Sequence, residues 1–175
     1  MLLAPLVRRT LAVRGQRPVL KQRARQRDKV SVAGALWLAP QRDRLGLLSM
    51  TLVNDFFDSA AAAVFLEVVV RSLPGAVVVV WDQGQMHKGE PIHAVRTKHP
   101  RLCVEALPPY APDLNPVEWI WKWLKYDRLC NYAAADAAQL EEEAMRHLRS
   151  IQEDQEQLWE FFHNSDLPLQ RKLLS

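Results

Sequence analysis

Ala76-Val77-Val78-Val79-Val80-Trp81-Asp82 is the stretch from which the rest of the chain is read. A short, continuous β-branched run without polar alternation predicts a strand buried on both faces, as in a parallel sheet covered by helices. The run ends on a carboxylate, and in open α/β sheets functional groups gather at the carboxyl ends of strands. Asp82 is desolvated there unless a loop, water or metal ion receives it. Taken alone, it also reads as an aspartate capping the next turn.

On the amino-terminal side, Pro74-Gly75 stops a helix that the spacing of Val64, Phe65, Val68 and Val69 predicts over Ala60–Ser72, with Asp58 or Ser59 as cap. Before it, the apolar runs Val30–Leu38 and Leu45–Leu52 flank the polar turn Ala39-Pro40-Gln41-Arg42-Asp43-Arg44 and predict a hairpin. After Asp82, a helix over Glu90–Lys98 and a strand over Leu102–Leu107 complete a βαβ unit. A proline-rich loop leads to a helix from Pro116 to about Leu129, and helices follow near Asp136–Ser150 and Glu153–Phe162. The order predicts an α/β layered domain, divided as a basic segment (1–28), a catalytic core (29–130) and C-terminal helices (131–175).

The bulk numbers agree with that class. A chain of 175 residues, 49% hydrophobic and 25% charged, is long enough for a real core and excludes general disorder. No apolar run approaches the ~18–20 residues that span a bilayer, and Met1–Val7 is too short for a signal-peptide core. Cys103 and Cys130 stand apart in no metal-ligand spacing, so neither a disulfide framework nor a zinc site is expected, and a reducing cytoplasm is the expected compartment. The net charge of +3 is unevenly spread: residues 1–30 hold nine bases against one acid, and residues 131–175 hold four against nine. Arg8, Arg9, Arg14 and Arg17 belong to the basic end, which reads either as a polyanion-binding segment or as a solvated arm. Gly15 and Pro18 favour an ordered turn there.

The second informative stretch is Leu107-Pro108-Pro109-Tyr110-Ala111-Pro112-Asp113-Leu114-Asn115-Pro116-Val117-Glu118-Trp119-Ile120-Trp121-Lys122-Trp123-Leu124-Lys125. Asn115 and Pro116 form a helix start, cap followed by first-position proline. Glu118 falls three residues after the cap, where a capping-box glutamate folds back on the helix end. On a helical wheel Val117, Ile120, Trp121, Trp123 and Leu124 fill a broad apolar arc, leaving Glu118, Lys122 and Lys125 on a narrow polar stripe. Pairing of Glu118 with Lys122 would contribute only a few tenths of a kcal/mol. The alternative is a metal ligand with phosphate-binding lysines behind it, suited to Mg²⁺ on a DNA backbone.

Val79-Val80-Trp81-Asp82-Gln83-Gly84-Gln85-Met86-His87, taken with Leu107 to Lys125, closely resembles the catalytic core of mariner-related bacterial insertion-sequence transposases of the DDE superfamily. Arg8-Arg9-Thr10-Leu11-Ala12-Val13-Arg14-Gly15-Gln16-Arg17-Pro18 resembles a further segment of that family, so the likeness runs over most of the chain. It implies a ribonuclease H-like mixed sheet with flanking helices and a two-metal Mg²⁺ site. Asp82 would be the second of three carboxylates and Glu118 the third, with 35 residues between them. Metals ~3.5–4 Å apart would activate the attacking oxygen and stabilise the leaving one. His87 stands where the family also carries histidine, as a contact to a carboxylate or phosphate; Tyr110, Pro112 and Asn115 would shape the loop that sets Glu118. The partner implied is DNA, insertion-sequence ends and target, bound by Arg8, Arg9, Arg14, Arg17, Lys122 and Lys125, with a homodimer on paired ends and no membrane.

The departures carry expectations of their own. Leu2, Leu3 and Pro5 match a segment that follows the family's first aspartate, so the sequence as written is expected to lack that residue, its strand and the DNA-binding region before it. Gln83 replaces the usual asparagine and Leu11 the usual tryptophan. The expected function is therefore metal-dependent DNA cleavage and strand transfer, with this chain an inactive piece of the enzyme. The alternatives are a catalytically dead nucleic-acid-binding remnant and a non-transposase nuclease of the same fold.

Overall fold

The computed structural model describes residues 6–9, 11–15, 19 and 28–169. The expected hairpin forms from β1 (Val30–Leu38) and β2 (Leu45–Val53), antiparallel in a register running from Val30 opposite Val53 to Leu38 opposite Leu45. Its turn closes through an Ala39 N–H bond to the Arg44 carbonyl at 2.9 Å. Trp37 faces Gly46 across the ladder, and its indole occupies the space a side chain at 46 would need.

The second half is helix, strand, helix, strand. Helix α1 (Ser59–Ser72) begins on Asp58, whose carboxylate accepts the Ala61 N–H at 2.8 Å, satisfying one of the helix's orphan donors. The Arg101 side chain closes its other end, donating to the carbonyls of Val70, Leu73 and Gly75. Strand β3 (Val77–Trp81) pairs in parallel with β4 (Leu102–Ala106), Trp81 opposite Ala106, and helix α2 (Glu90–Lys98) makes the crossover. Ala62, Ala63, Leu66 and Val70 of α1 pack with Ile92 and Val95 of α2 against Val77 and Leu102.

Two expectations are corrected here. The Val77–Val80 strand is buried on one face only: Val78 and Val80 are 62% and 53% exposed, because α1 and α2 cover one side of β3 and β4 and no described element covers the other. The domain is mixed α/β, but a single mixed sheet is not seen among the described residues. The strands form two two-stranded sheets, β1–β2 and β3–β4, without hydrogen bonds between them.

The hairpin has its own core, shared with the C-terminal helices. Helix α3 (Val117–Trp123) continues as a π-turn over Leu124–Arg128, closed by Leu129 N–H on the Leu124 carbonyl, so the long α-helix expected to Leu129 widens after Trp123. Helices α4 (Ala137–Ile151) and α5 (Gln155–His163) are capped by Asp136 and Asp154. Ile120, Leu124, Leu148 and Leu158 bury against Val30, Leu45 and Leu47. Trp121 lies over Gly34 of β1; a Cβ there would sit 2.8 Å from the indole. That close approach seats α3 on the hairpin.

A charge clasp joins α1 to α2. The Glu67 carboxylate lies 2.8 Å from Lys98 Nζ, 2.7 Å from His99 Nε2 and 2.7 Å from Arg71. Hydrogen bonds from Lys98 and His99 hold its pKa down, from 4.5 to about 2. A depressed carboxylate stabilises the fold above its unfolded pKa and loses that contribution as protons bind it in the folded state. Stability is therefore expected to fall between about pH 4.5 and 2, and Glu67→Gln should flatten this part of a melting-temperature profile. An unchanged profile would show that the clasp carries no pH dependence.

Candidate active site

Asp82 directly follows β3, and its side chain is 63% exposed. Oδ1 accepts the Gly84 N–H at 2.8 Å and lies 3.3 Å from His87 Nε2. A Cβ at Gly84 would come within 2.9 Å of this oxygen. The turn-capping role foreseen for Asp82 is thus real, but it engages one oxygen; Oδ2 has no partner among the described residues.

His87 is fixed from two sides. Its ring stacks on Trp81, with centroids 4.2 Å apart and an interplanar angle of 19°. Burial pushes its pKa below the usual histidine value, partly opposed by the Asp82 charge. Nε2 faces the Asp82 carboxylate at 3.3 Å, while Nδ1 is buried without a hydrogen-bond partner among the described residues.

The other carboxylate arrives by a loop that leaves β4 beside the end of β3. Leu107 N–H donates to the Trp81 carbonyl at 2.8 Å, and Gln83 Nε2 donates to the Leu107 carbonyl at 3.1 Å. The chain then turns through Tyr110 at φ +57° and a 3₁₀ turn at Pro112–Leu114. Asp166 N–H on the Asp113 carbonyl ties this loop to the C-terminal segment. Asn115 Oδ1 accepts the Val117 N–H at 3.2 Å, and its carbonyl accepts the Glu118 N–H at 3.0 Å. The helix starts one residue later than expected: Pro116, expected as its first residue, holds the cap position, and Asn115, expected as the cap, bonds the first helical N–H from one residue further out.

Glu118 occupies the first turn of α3, half-buried. The capping-box reading fails for a specific reason: the donor it would take, the Asn115 N–H, is already bonded to the Pro112 carbonyl at 2.9 Å. Nor does Glu118 pair with Lys122, whose ammonium stands 4.0 Å over the Trp119 ring. Lys125 is exposed in the π-turn. No three His, Cys, Asp or Glu side chains converge among the described residues, so Asp82 and Glu118 are not joined there by a third acid.

Of the basic residues, Arg8 is brought to the end of α3. Its guanidinium bonds the Tyr126 carbonyl at 2.8 Å and lies 3.3 Å from Asp127, while its N–H donates to Asn131 Oδ1 at 2.9 Å. Arg9 and Arg14 are exposed, and Arg17 lies outside the described residues.

Lys88 and Arg96 were not foreseen. They line, with Trp81, Asp82, Gln83 and His87, a cavity of about 300 Å³ at the end of β3. Glu118 does not line it. The signal for Arg96 was present in the sequence, since it lies four residues after buried Ile92 on one face of α2.

Fold and site together define a mixed α/β domain presenting an acidic strand end among basic side chains. The family model described as DDE superfamily endonuclease matches residues 2–141, and the chain belongs to that family. This is the domain of a transposase-like nuclease, from a superfamily that acts on DNA and generally uses divalent metals. No curated protein matches the chain. No helix among the described residues is long and apolar enough to cross a membrane.

Proposed function

We propose that this chain is the catalytic part of a mariner-related insertion-sequence transposase, cutting DNA at element ends and joining them to a target. The observation that carries the reading is the loop at residues 107–116. It starts bonded to the strand that bears Asp82 and ends as the helix turn that bears Glu118.

The donor chemistry fits Mg²⁺, a hard cation often held by one or two carboxylates together with substrate phosphates. Asp82 keeps one oxygen free of partners, and Glu118 makes neither a capping bond nor an ion pair, among the described residues. These two residues would hold the metal, which when bound supplies Lewis-acid activation of the attacking oxygen and charge neutralisation at the leaving one. His87 orients Asp82 through Oδ1. Asn115 orients Glu118 by fixing the helix start. Arg9, Arg14, Lys122 and Lys125 face solvent as phosphate contacts, with a second copy of the chain on the paired end.

A two-metal centre needs more acidic ligands than the described residues bring together. Residues 1–175 alone are therefore expected to bind element-end DNA without Mg²⁺-dependent nicking. Nicking abolished by Asp82→Ala and by Glu118→Ala would show that another acid completes the centre, with Asp113 of the same loop the first to test. The second reading, a remnant that only binds nucleic acid, rests on the same two-carboxylate count. It predicts DNA binding with no divalent-metal binding that depends on Asp82 or Glu118. Absence of DNA binding at low salt would refute both.

A further inference from the structure

The cavity beside Asp82 has a composition that a metal site by itself does not explain. Lys88 and Arg96 line it, both exposed, and neither side chain pairs with an acid among the described residues. Glu90, the acid in the first turn of α2, does not line it. Ile92, Val104 and Ala106 complete the lining. Counted by formal charge, Lys88 and Arg96 against Asp82 leave one unit of positive charge in the lining, matching a single phosphodiester.

Shape and surroundings favour a backbone phosphate over a base. A volume of about 300 Å³ stands at the small end of ligand-sized cavities. Single-stranded bases are usually held by stacking on an aromatic face. Trp81, the aromatic side chain in this lining besides the His87 ring, already stacks on His87. The cavity thus offers charge without a base platform.

We propose that this cavity is a phosphodiester subsite, in which Lys88 and Arg96 hold a phosphate of the nucleic-acid backbone beside the Asp82 carboxylate. The inference rests on the nuclease reading and deepens it by naming where the strand is gripped. Arg96, on a packed helix, supplies a fixed fork of donors that suits phosphate oxygens. Lys88, in the segment between a 3₁₀ turn at Gln85–His87 and α2, supplies a point charge on a flexible stem.

The test is DNA binding by the full chain, followed by fluorescence anisotropy on a labelled duplex with chelator present, over about 50–200 mM salt. Removing one phosphate-binding cation should reduce the slope of log affinity against log salt by about 0.9. Lys88→Gln and Arg96→Gln, which keep side-chain bulk, should each show that reduction, and the double variant about twice it. Arg96→Lys should restore most of the slope. Arg149→Gln, the same charge change on α4 in the other core, should leave it nearly unchanged. Asp82→Asn should tighten metal-free binding severalfold, because it removes a negative charge beside the bound phosphate. A wild-type slope in the double variant, or no tightening with Asp82→Asn, overturns the subsite and leaves the nuclease reading standing. Lys88- and Arg96-dependent binding of inorganic phosphate without any effect on DNA also overturns it, in favour of a free-anion site. No DNA binding by the wild-type chain overturns the nuclease reading and the subsite with it.

Discussion

Ile120→Ala is expected to lower the unfolding free energy by about 2–5 kcal/mol, the range for truncating a fully buried aliphatic side chain. Ile120 is 0% exposed, on the buried face of α3, in one core with Val30, Leu45, Leu124, Leu148 and Leu158. The change removes three carbons from a core shared by the hairpin and both C-terminal helices, and close packing prevents those neighbours from filling the space without strain. Domains of this kind are stable by only about 5–15 kcal/mol, so the destabilisation should be plain in urea unfolding. Val64→Ala on α1, where the side chain is 58% exposed, should change stability by about 0.5 kcal/mol or less. Equal effects at the two positions would mean that α3 is not seated in this core. Glu118 lies two residues before Ile120, so the same variant should also loosen the placement of that carboxylate.

Asp82→Ala and Glu118→Ala are each expected to weaken Mn²⁺ binding, read by its paramagnetic signal in the presence of element-end DNA. The weakening should exceed the ~10–100-fold typical of removing a mere partner of a metal ligand. If both carboxylates serve one centre, the double variant should be little worse than either single one, because residues acting as a unit are not additive. Two independent, additive effects would place the carboxylates on separate sites and end the assignment of Asp82 and Glu118 as co-ligands. DNA affinity without metal should survive in both variants, which separates removal of a ligand from collapse of the fold.

Local structure was largely legible in the sequence because its determinants are local. Alternating strands and helices followed from runs such as Val77–Val80, and Asp58, Asp136 and Asp154 all cap helices through their side chains. Asn115 was legible as a side chain that bonds the start of α3, since an asparagine before proline reaches the next free N–H, although the cap position itself falls on Pro116. Glu118 was legible only as an ambiguity. Three residues after a cap is the position of a capping-box glutamate, and what removes that role is the Asn115 N–H already spent on Pro112. Lys122 illustrates the same limit: helical spacing offered it Glu118, whereas Trp119 holds it.

Element order, the Asp58 cap, the hairpin and the spacing of Asp82 from Glu118 are properties of the amino-acid order alone. Each depends on neighbours within a few residues, on period-two or 3.6-residue patterning, or on motif spacing. Packing between distant segments was needed to turn Val78 and Val80 outward, to widen α3 into a π-turn and to tie Arg8 to Asp127. The same packing brings Lys88 and Arg96 around one cavity with Asp82. Burial and charge placement depend on which surfaces remain uncovered once those segments meet. A run of valines carries no record of how many helices will cover it, nor an unpaired arginine of the carboxylate it will face.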